Sequence, residues 1–234
     1  MVERRPIKVV EAPRALDYFS SDFIPTGSFL LNLVLGGGWA RKRVANLVGD
    51  KSSGKTLLAI EACANFAKHV GEAEDIRYAE TESAFLEEYA HKIGMPQAAQ
   101  LTKEEDGIRT VEDWYNDLDA FLKEQTKRTT PCFYVLDSLD ALSDDAEADR
   151  AFGENTYGTG KAKGVSELFR RKISDIAKAD CAMLIISQIR DNIGVTFGET
   201  KKRSGGRALD FYASQVVWLE IGRASCRERV CQYV

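Results

Sequence analysis

The segment at residues 49–56 constrains this chain more than any other stretch. It reads Gly-Asp-Lys-Ser-Ser-Gly-Lys-Thr and matches G-x-x-x-x-G-K-[ST], in which backbone N–H groups surround phosphate, the Lys reaches the β- and γ-phosphates and the Thr holds Mg²⁺. A short buried strand is expected at 43–48 and a helix at 57–70, whose positive dipole end then faces the anion. The alternative is a plain Gly/Ser turn. The pattern favours a nucleoside triphosphate site built from Gly49, Asp50, Lys51, Ser52, Ser53, Gly54, Lys55 and Thr56.

The composition is that of an ordinary globular protein. Hydrophobic residues make up 44% of the chain and charged residues 29%, and no apolar run approaches the roughly 18 residues that a membrane span needs. Five cysteines without Cys-x-x-Cys spacing indicate neither a disulfide framework nor a zinc site. We therefore expect a cytoplasmic protein with no membrane partner.

Strands and helices alternate along the chain, which is typical of an α/β protein with a mostly parallel, twisted sheet and helices on both faces. Beyond the first unit, we predict strands at 75–80, 132–137, 181–187 and 215–219, and helices at 29–35, 85–93, 111–122 and 165–176. Residues 1–26 are interpreted as an N-terminal arm and 27–220 as the core. Residues 221–234 lack any period and resemble a translated sequencing adapter, so we expect them to be non-native.

Polar residues follow several of the predicted strands, at the sheet edge where ligands bind. Asp137 closes the apolar run 132–137, the Walker B pattern, in which a carboxylate holds Mg²⁺ directly or through water. The alternative is that Asp137 merely caps the next turn. Together with a phosphate loop upstream, Asp137 and Thr56 are the predicted Mg²⁺ ligands.

ATP hydrolysis needs a residue that positions and polarises the attacking water. Glu82, two residues beyond a strand end, is the best candidate, and Glu80 is its competitor; Glu82 could also be a solvated surface carboxylate. Gln188 cannot be a base, but its amide can donate to a γ-phosphate oxygen. Because it directly precedes a basic segment, phosphate occupancy could be transmitted to that segment. The alternative is an ordinary polar residue at a strand end.

The basic segment covers residues 188–207, where five Lys or Arg against two acids give a local charge of +3, although the whole chain carries −4. Apolar side chains within it, at Ile193 and Phe197, suit contacts with bases or with a partner. A bland solvated loop is the alternative. The cations among its glycines suit contacts with nucleic-acid phosphates, and they are Lys201, Lys202, Arg203 and Arg207.

A series of motifs is spread over residues 24–220. It comprises Ile-Pro-Thr-Gly-Ser at 24–28, the phosphate loop, Leu-Asp-Ser at 136–138, Ser-Gln-Ile-Arg at 187–190, Ile-Gly-Val-Thr-Phe-Gly at 193–198 and Gly-Gly-Arg-Ala-Leu-Asp-Phe-Tyr-Ala-Ser at 205–214. General P-loop ATPases lack this series, which resembles that of the RecA recombinase family. The divergence from the family elsewhere in the chain indicates a divergent or phage-like member. Glu80 stands where the family usually has Asp and Asp210 where it usually has Lys, so we expect a different interface chemistry.

The resemblance implies roles for individual residues. Tyr89 is expected to stack on adenine, unless it is a core residue of its helix, and Phe211 to carry the nucleotide signal across a protomer interface. Residues 153–164, with Lys161 and Lys163, are expected to form the first DNA loop. Residues 189–204 are expected to form the second, with Ile193 wedged between bases; the DNA-binding set from the second loop onward is Arg190, Ile193, Phe197, Lys201, Lys202, Arg203, Gly205, Gly206 and Arg207.

The expected function is ATP-dependent and Mg²⁺-dependent recombination. In this interpretation the chain assembles into a helical filament on single-stranded DNA, hydrolyses ATP and exchanges strands with homologous duplex DNA, with Lys55, Glu82 and Gln188 as its catalytic residues. One alternative is a RecA-fold helicase or repair ATPase. Another is an ATP-gated DNA-binding regulator that does not hydrolyse. A small-molecule kinase is disfavoured because no Arg-rich lid follows the phosphate loop.

Overall fold

The computed structural model describes residues 22–82, 85–102, 107–144, 160–191, 201–203 and 206–221, and for residues 190–191, 201–203 and 206–207 it describes the backbone alone. Two short strands, β1 (Phe23–Ile24) and β2 (Trp39–Ala40), pair antiparallel beside the main sheet. The strands of the main sheet are β3 (Val44–Gly49), β4 (Ile76–Glu80), β5 (Gln100–Thr102), β6 (Cys132–Asp137), β7 (Cys181–Asp191), β8 (Lys201–Arg203) and β9 (Ala213–Leu219).

Six of these strands run parallel, in the order β5-β4-β6-β7-β3-β9. The strand β8 is the exception, since it pairs antiparallel with the last residues of β7, Ile189 facing Arg203. The strand that carries the phosphate loop, β3, therefore lies between β7 and β9. Because all six parallel strands end at one edge, the polar residues that follow them are brought together there.

Helices occupy both faces of the sheet. Their bounds within the described residues are α1 (Phe29–Val34), α2 (Lys55–His69), α3 (Glu87–Lys92), α4 (Val111–Arg128), α5 (Gly160–Lys178) and α6 (Gly206–Tyr212). Thr110 and Asp113 form a reciprocal capping box that fixes the start of α4. Single 3₁₀ turns precede β4 and follow β6, at Ala73–Asp75 and Leu139–Ala141.

The core consists of two layers separated by the sheet, and β6 shows why. Its alternate side chains face opposite ways, so that Cys132, Tyr134 and Leu136 pack with α4 and α5, whereas Phe133 and Val135 pack with α2. All five are fully buried. A strand covered on both faces is apolar throughout, which is the pattern that the sequence presents.

The predicted fold class is confirmed, and several boundaries are corrected. The strand predicted at 181–187 continues to Asp191, because its end pairs with β8, so residues 189–191 and 201–203 are hairpin strands where a loop was predicted. Residues 160–164, also predicted as loop, form the first turn of α5. The helix predicted at 57–70 begins earlier, at Lys55.

Several predictions lie outside the described residues. They include most of the N-terminal arm, all of the predicted tail except Ile221, and most of the first DNA loop. Within the described part of the chain, no helix has the length and apolar character needed to cross a membrane.

Candidate nucleotide site

The phosphate loop joins β3 to α2 through two glycines that the backbone requires. Gly49 ends β3, and a Cβ there would lie 2.4 Å from the Ser53 hydroxyl oxygen and 2.9 Å from the Leu219 carbonyl oxygen. Gly54 has φ +92°, a left-handed conformation that other residues adopt at a cost. At Gly49 the chain therefore lies too close to the Ser53 side chain and to the backbone of β9 for a larger residue, and at Gly54 it adopts a conformation that favours glycine.

The start of α2 has the features of an anion site. Its N-cap residue, Gly54, provides no side-chain acceptor for the first N–H groups of the helix. The Ser53 hydroxyl oxygen is buried without a hydrogen-bond partner among the described residues. Lys55, 8% exposed, folds back so that Nζ donates to the carbonyl oxygens of Gly49 at 3.0 Å and Asp50 at 2.8 Å. These groups could hold a triphosphate, with Lys55 exchanging carbonyls for phosphate oxygens.

Asp137 and Thr56 meet across the sheet edge, as the sequence predicts for a shared Mg²⁺. The Thr56 hydroxyl donates to Oδ2 of Asp137 at 2.8 Å, and the Tyr78 hydroxyl donates to the same oxygen at 2.7 Å. Burial raises the pKa of Asp137, while the hydrogen bonds from Tyr78 and Thr56 act in the opposite direction. Burial, followed by the charge of Asp137, holds the pKa of Tyr78 well above its ordinary value, so Tyr78 remains a donor.

The side chains of Thr56 and Asp137 fit a magnesium ion that is also bound by the phosphates of a nucleotide. Mg²⁺ in such sites is bound through one or two protein oxygens together with phosphates and waters, not by a cage of side chains. Among the described residues, no group of three or more His, Cys, Asp or Glu side chains converges on one point. Thr56 and Asp137 could therefore supply the protein ligands.

The structure separates the two candidate glutamates. Glu80 is 6% exposed, and its Oε1 accepts the backbone N–H of Glu82 at 2.9 Å, so its carboxylate shapes the turn after β4. Glu82 is exposed, and its Oε1 accepts two hydrogen bonds, from the Ser138 hydroxyl and from Nε2 of Gln188 at 2.8 Å. The second carboxylate oxygen of Glu82 has no partner among the described residues, and so is available as a proton acceptor.

Thr81 fixes the strand ends that carry these groups. Its backbone N–H donates to the Asp137 carbonyl oxygen at 2.8 Å. Its hydroxyl donates to the Ser138 carbonyl oxygen at 2.8 Å and accepts the Ser138 N–H at 2.9 Å. Because Thr81 lies between Glu80 and Glu82, the turn after β4 and the turn after β6 hold one another in register.

Gln188 lies beside the phosphate loop and directly precedes the basic hairpin, which is formed by residues 189–191 of β7 and residues 201–203 of β8. It is paired with Gly49 in the parallel register of β7 and β3. The hairpin of β7 and β8 begins at the next residue, and its backbone brings Arg190 opposite Lys202. One residue thus connects the phosphate loop and the hairpin, through its backbone, with Glu82, through its side chain.

The two aromatic residues assigned by resemblance are both exposed. Tyr89, on α3, is 55% exposed, which excludes the alternative that it is a core residue. Phe211, on α6, is 82% exposed. An apolar ring so open to water suits contact with a ligand or with another chain.

The candidate DNA-binding residues are less fully described. Lys161 and Lys163 both lie on the first turn of α5, where Lys163 is exposed and Lys161 is partly buried. The described backbone carries Arg190, Lys201, Lys202 and Arg203 on the hairpin, and Gly206 and Arg207 at the start of α6. Ile193, Phe197 and Gly205 lie outside the described residues.

The sequence analysis gave no role to Tyr78, Thr81, Asp140 or Ser138, of which only Ser138 belonged to a quoted motif, although all four hold the site together. Tyr78 had a faint signal, because it precedes Glu80 by two positions and so shares its face of β4. The contacts of the other three depend on which strands are neighbours. Alternation of strands and helices does not specify that order.

The parallel sheet, the phosphate loop at the start of α2 and the acid at the end of β6 define the P-loop class of α/β proteins. Residues 15–230 match the family model described as the RecA N-terminal domain. The chain belongs to the RecA family.

Curated relatives support the same assignment. This chain is 36% identical over 196 residues to Protein RecA of Bacteroides thetaiotaomicron, covering 82% of this chain and 56% of that protein. It is 36% identical over 194 residues to Protein RecA of Porphyromonas gingivalis, covering 82% and 53%. With Protein RecA of Prochlorococcus marinus (strain MIT 9515) the identity is 34% over 206 residues, covering 88% and 52%. The chain spans about half the length of the curated relatives it matches.

Proposed function

We propose that this chain is the ATP-binding core of a DNA recombination protein. In this proposal ATP binds at residues 49–56 with Tyr89 against the base, and adjoining chains assemble on single-stranded DNA, with Phe211 at their interface. The filament then exchanges strands with homologous duplex DNA. The contact between Gln188 and Glu82 carries the proposal, because one hydrogen bond of 2.8 Å joins the hydrolytic carboxylate to the strand that leads into the basic hairpin.

Hydrolysis in this site rests on a few side chains. Lys55 and the N–H groups of the loop would bind the phosphates, and Thr56 and Asp137 would hold Mg²⁺, which would supply positive charge to neutralise the phosphates. Glu82 takes a proton from the attacking water through its second carboxylate oxygen, which has no partner in the described part of the chain. Ser138 keeps the carboxylate in place by donating to the other oxygen.

Gln188 links this chemistry to DNA. When its amide turns to a γ-phosphate oxygen, it leaves Glu82, and the change is passed directly to the hairpin strands of β7 and β8. Arg190, Lys201, Lys202 and Arg203, together with Lys163 on α5 and Arg207 on α6, then contact DNA phosphates, which makes the affinity dependent on salt. The two ligands thereby bias one structural element, which is the requirement for coupling.

ATP turnover and strand exchange, each measured with and without single-stranded DNA, test the proposal. We expect turnover that DNA stimulates, loss of turnover in Lys55→Ala, and pairing of a homologous but not a heterologous duplex. DNA-stimulated turnover without strand exchange would indicate a helicase or repair ATPase instead. ATP-dependent DNA binding without turnover would indicate a regulator that does not hydrolyse.

A further inference from the structure

Asp140 supplies a hydrogen-bond acceptor to β7 beyond the point where the pairing of β7 with β6 ends. The pairing of β6 with β7 ends at Leu136 opposite Ile185, and β7 continues without β6 beyond that pair. Oδ2 of Asp140, in the 3₁₀ turn after β6, accepts the backbone N–H of Gln188 at 2.6 Å. A hydrogen bond to a carboxylate is shorter and stronger than one between neutral groups, so it fixes the backbone from which the Gln188 side chain extends.

Lys161 holds the turn that carries Asp140. Its Nζ donates to the carbonyl oxygen of Asp140 at 3.1 Å and to that of Leu142 at 2.5 Å. The start of α5 also approaches the segment that follows this turn, since a Cβ on Gly160 would lie 2.1 Å from an oxygen of Asp144. The Lys161 ammonium therefore joins the first turn of α5 to the turn after β6, and close packing at Gly160 joins it to the segment that follows that turn.

We propose that Asp140 and Lys161 form a joint that couples the start of α5 to Gln188, with Asp140 as a positioning residue for the Gln188 amide. The proposal rests on the proposed function, because the joint acts between the nucleotide and DNA. It assigns Lys161 to the joint in place of a direct phosphate contact. Its neighbour on the same turn, Lys163, retains the phosphate contact.

The joint gives DNA two routes to the nucleotide site. DNA at Lys163 acts on the helical turn that holds Lys161, and DNA at the hairpin acts on the strand that holds Gln188. Both routes converge on the backbone of Gln188, from which the side chain reaches Glu82 at 2.8 Å. A displacement of the chain at either DNA contact therefore changes whether the Gln188 amide donates to Glu82 or to a γ-phosphate oxygen.

Lys161→Met and Lys163→Met form a matched pair that separates a joint from a phosphate contact. For each full-length variant, the affinity for single-stranded DNA is measured against salt, with and without a non-hydrolysable ATP analogue and Mg²⁺. Lys163→Met should lower the salt slope by about 0.7 and keep the ATP dependence. Lys161→Met should keep the slope and lower the ATP-dependent gain in affinity by about fivefold or more. A lowered slope with intact ATP dependence in Lys161→Met would overturn the proposal.

Asp140→Ala and Asp140→Asn test the positioning role. Asparagine retains an oxygen acceptor for the Gln188 N–H and alanine does not, so Asp140→Asn should restore part of the coupling that Asp140→Ala loses. Equal coupling in Asp140→Ala and the unaltered chain would contradict the assignment. Thermal unfolding of each variant shows whether the fold is retained.

Hydrogen exchange at the Gln188 amide gives a readout that does not depend on the proposed function. Asp140→Ala should raise the exchange rate of that amide directly, and Lys161→Met should raise it by loosening the turn. If the unaltered chain shows no coupling between ATP and DNA, the proposed function fails, and exchange still decides on the joint. Unchanged exchange in both variants would refute the joint itself.

Discussion

Tyr78→Phe should weaken Mg²⁺ binding without removing a metal ligand. The Tyr78 hydroxyl donates to Oδ2 of Asp137 at 2.7 Å, and both residues are buried, so the bond orients the carboxylate and favours its ionised form. Phenylalanine keeps the ring and loses the donor. The pKa of Asp137, already raised by burial, should rise further. Because a metal binds the ionised carboxylate, the defect should grow as the pH falls.

The expected size follows from the contacts of Asp137. A group that hydrogen-bonds a metal-binding side chain typically contributes about 10- to 100-fold in metal affinity. Thr56 donates to the same oxygen at 2.8 Å and remains in the variant, so part of the orientation is retained. We therefore expect the lower end of that range, a loss of about tenfold in Mg²⁺ affinity, or about 1.4 kcal/mol.

Tyr134→Phe is a matched control on the other face of the sheet. Tyr134 is also fully buried, and its hydroxyl donates to Asp117, likewise at 2.7 Å. The assay measures the Mg²⁺ concentration that half-saturates binding of a fluorescent ATP analogue, at pH 6.5 and at pH 8. Only Tyr78→Phe should shift that concentration, and more strongly at pH 6.5. Equal values for both variants and the unaltered chain would refute the reasoning.

Three further changes test the site. Asp137→Asn should raise the free energy of unfolding of the ligand-free chain at neutral pH, because a carboxyl group whose pKa is raised in the folded state lowers the stability as the pH rises through that pKa. In urea unfolding, the unaltered chain should be less stable at pH 7.5 than at pH 5, and Asp137→Asn should not show this loss. Gly49→Ala should cost about 1–3 kcal/mol in urea unfolding, because the new Cβ overlaps Ser53, and should weaken ATP binding. Glu82→Gln should lower kcat by about 10²–10⁴-fold with ATP affinity retained. Glu80→Gln should lower kcat less, because the amide oxygen of the new glutamine still accepts the Glu82 N–H. Equal losses of kcat in the two variants would contradict the different roles of Glu80 and Glu82.

Local signals in the sequence were sufficient for the fold class and for the phosphate loop. The strand at 132–137 was predicted to the residue, because an uninterrupted apolar run ending in Asp137 has few other interpretations. The meeting of Asp137 with Thr56 was predicted because both follow strands of one parallel sheet. In each case a short motif identifies the residue, and the parallel sheet brings the two motifs to the same edge.

Contacts between distant strand ends could not be predicted in the same way. The bonds from Tyr78 to Asp137 and from Asp140 to Gln188 exist because β4, β6 and β7 are neighbours, and many orders of the strands are compatible with the same alternation. The prediction at Lys161 was wrong for a different reason. The family resemblance implied a DNA loop at 153–164, but Lys161 lies in the first turn of α5, and its Nζ donates to two backbone carbonyl oxygens.

The end of β7, predicted at Ser187 and observed at Asp191, was misplaced for a related reason. The apolar pattern of β7 stops at Ser187, so polar residues beyond it were predicted as loop. Backbone pairing with β8 extends the strand regardless of side-chain polarity. A pattern based on burial detects only the strand residues that the core covers.

The central claim is that ATP and single-stranded DNA act on each other through Gln188. Calorimetric titration of DNA into the chain, with and without a non-hydrolysable ATP analogue and Mg²⁺, and the reverse titration of the analogue with and without DNA, measure that link directly. The account predicts that each ligand tightens the other by the same factor, about 5- to 150-fold, and that Gln188→Ala brings the factor close to one while nucleotide still binds. Indifference of the two ligands in the unaltered chain, or an unchanged factor in Gln188→Ala, would contradict it.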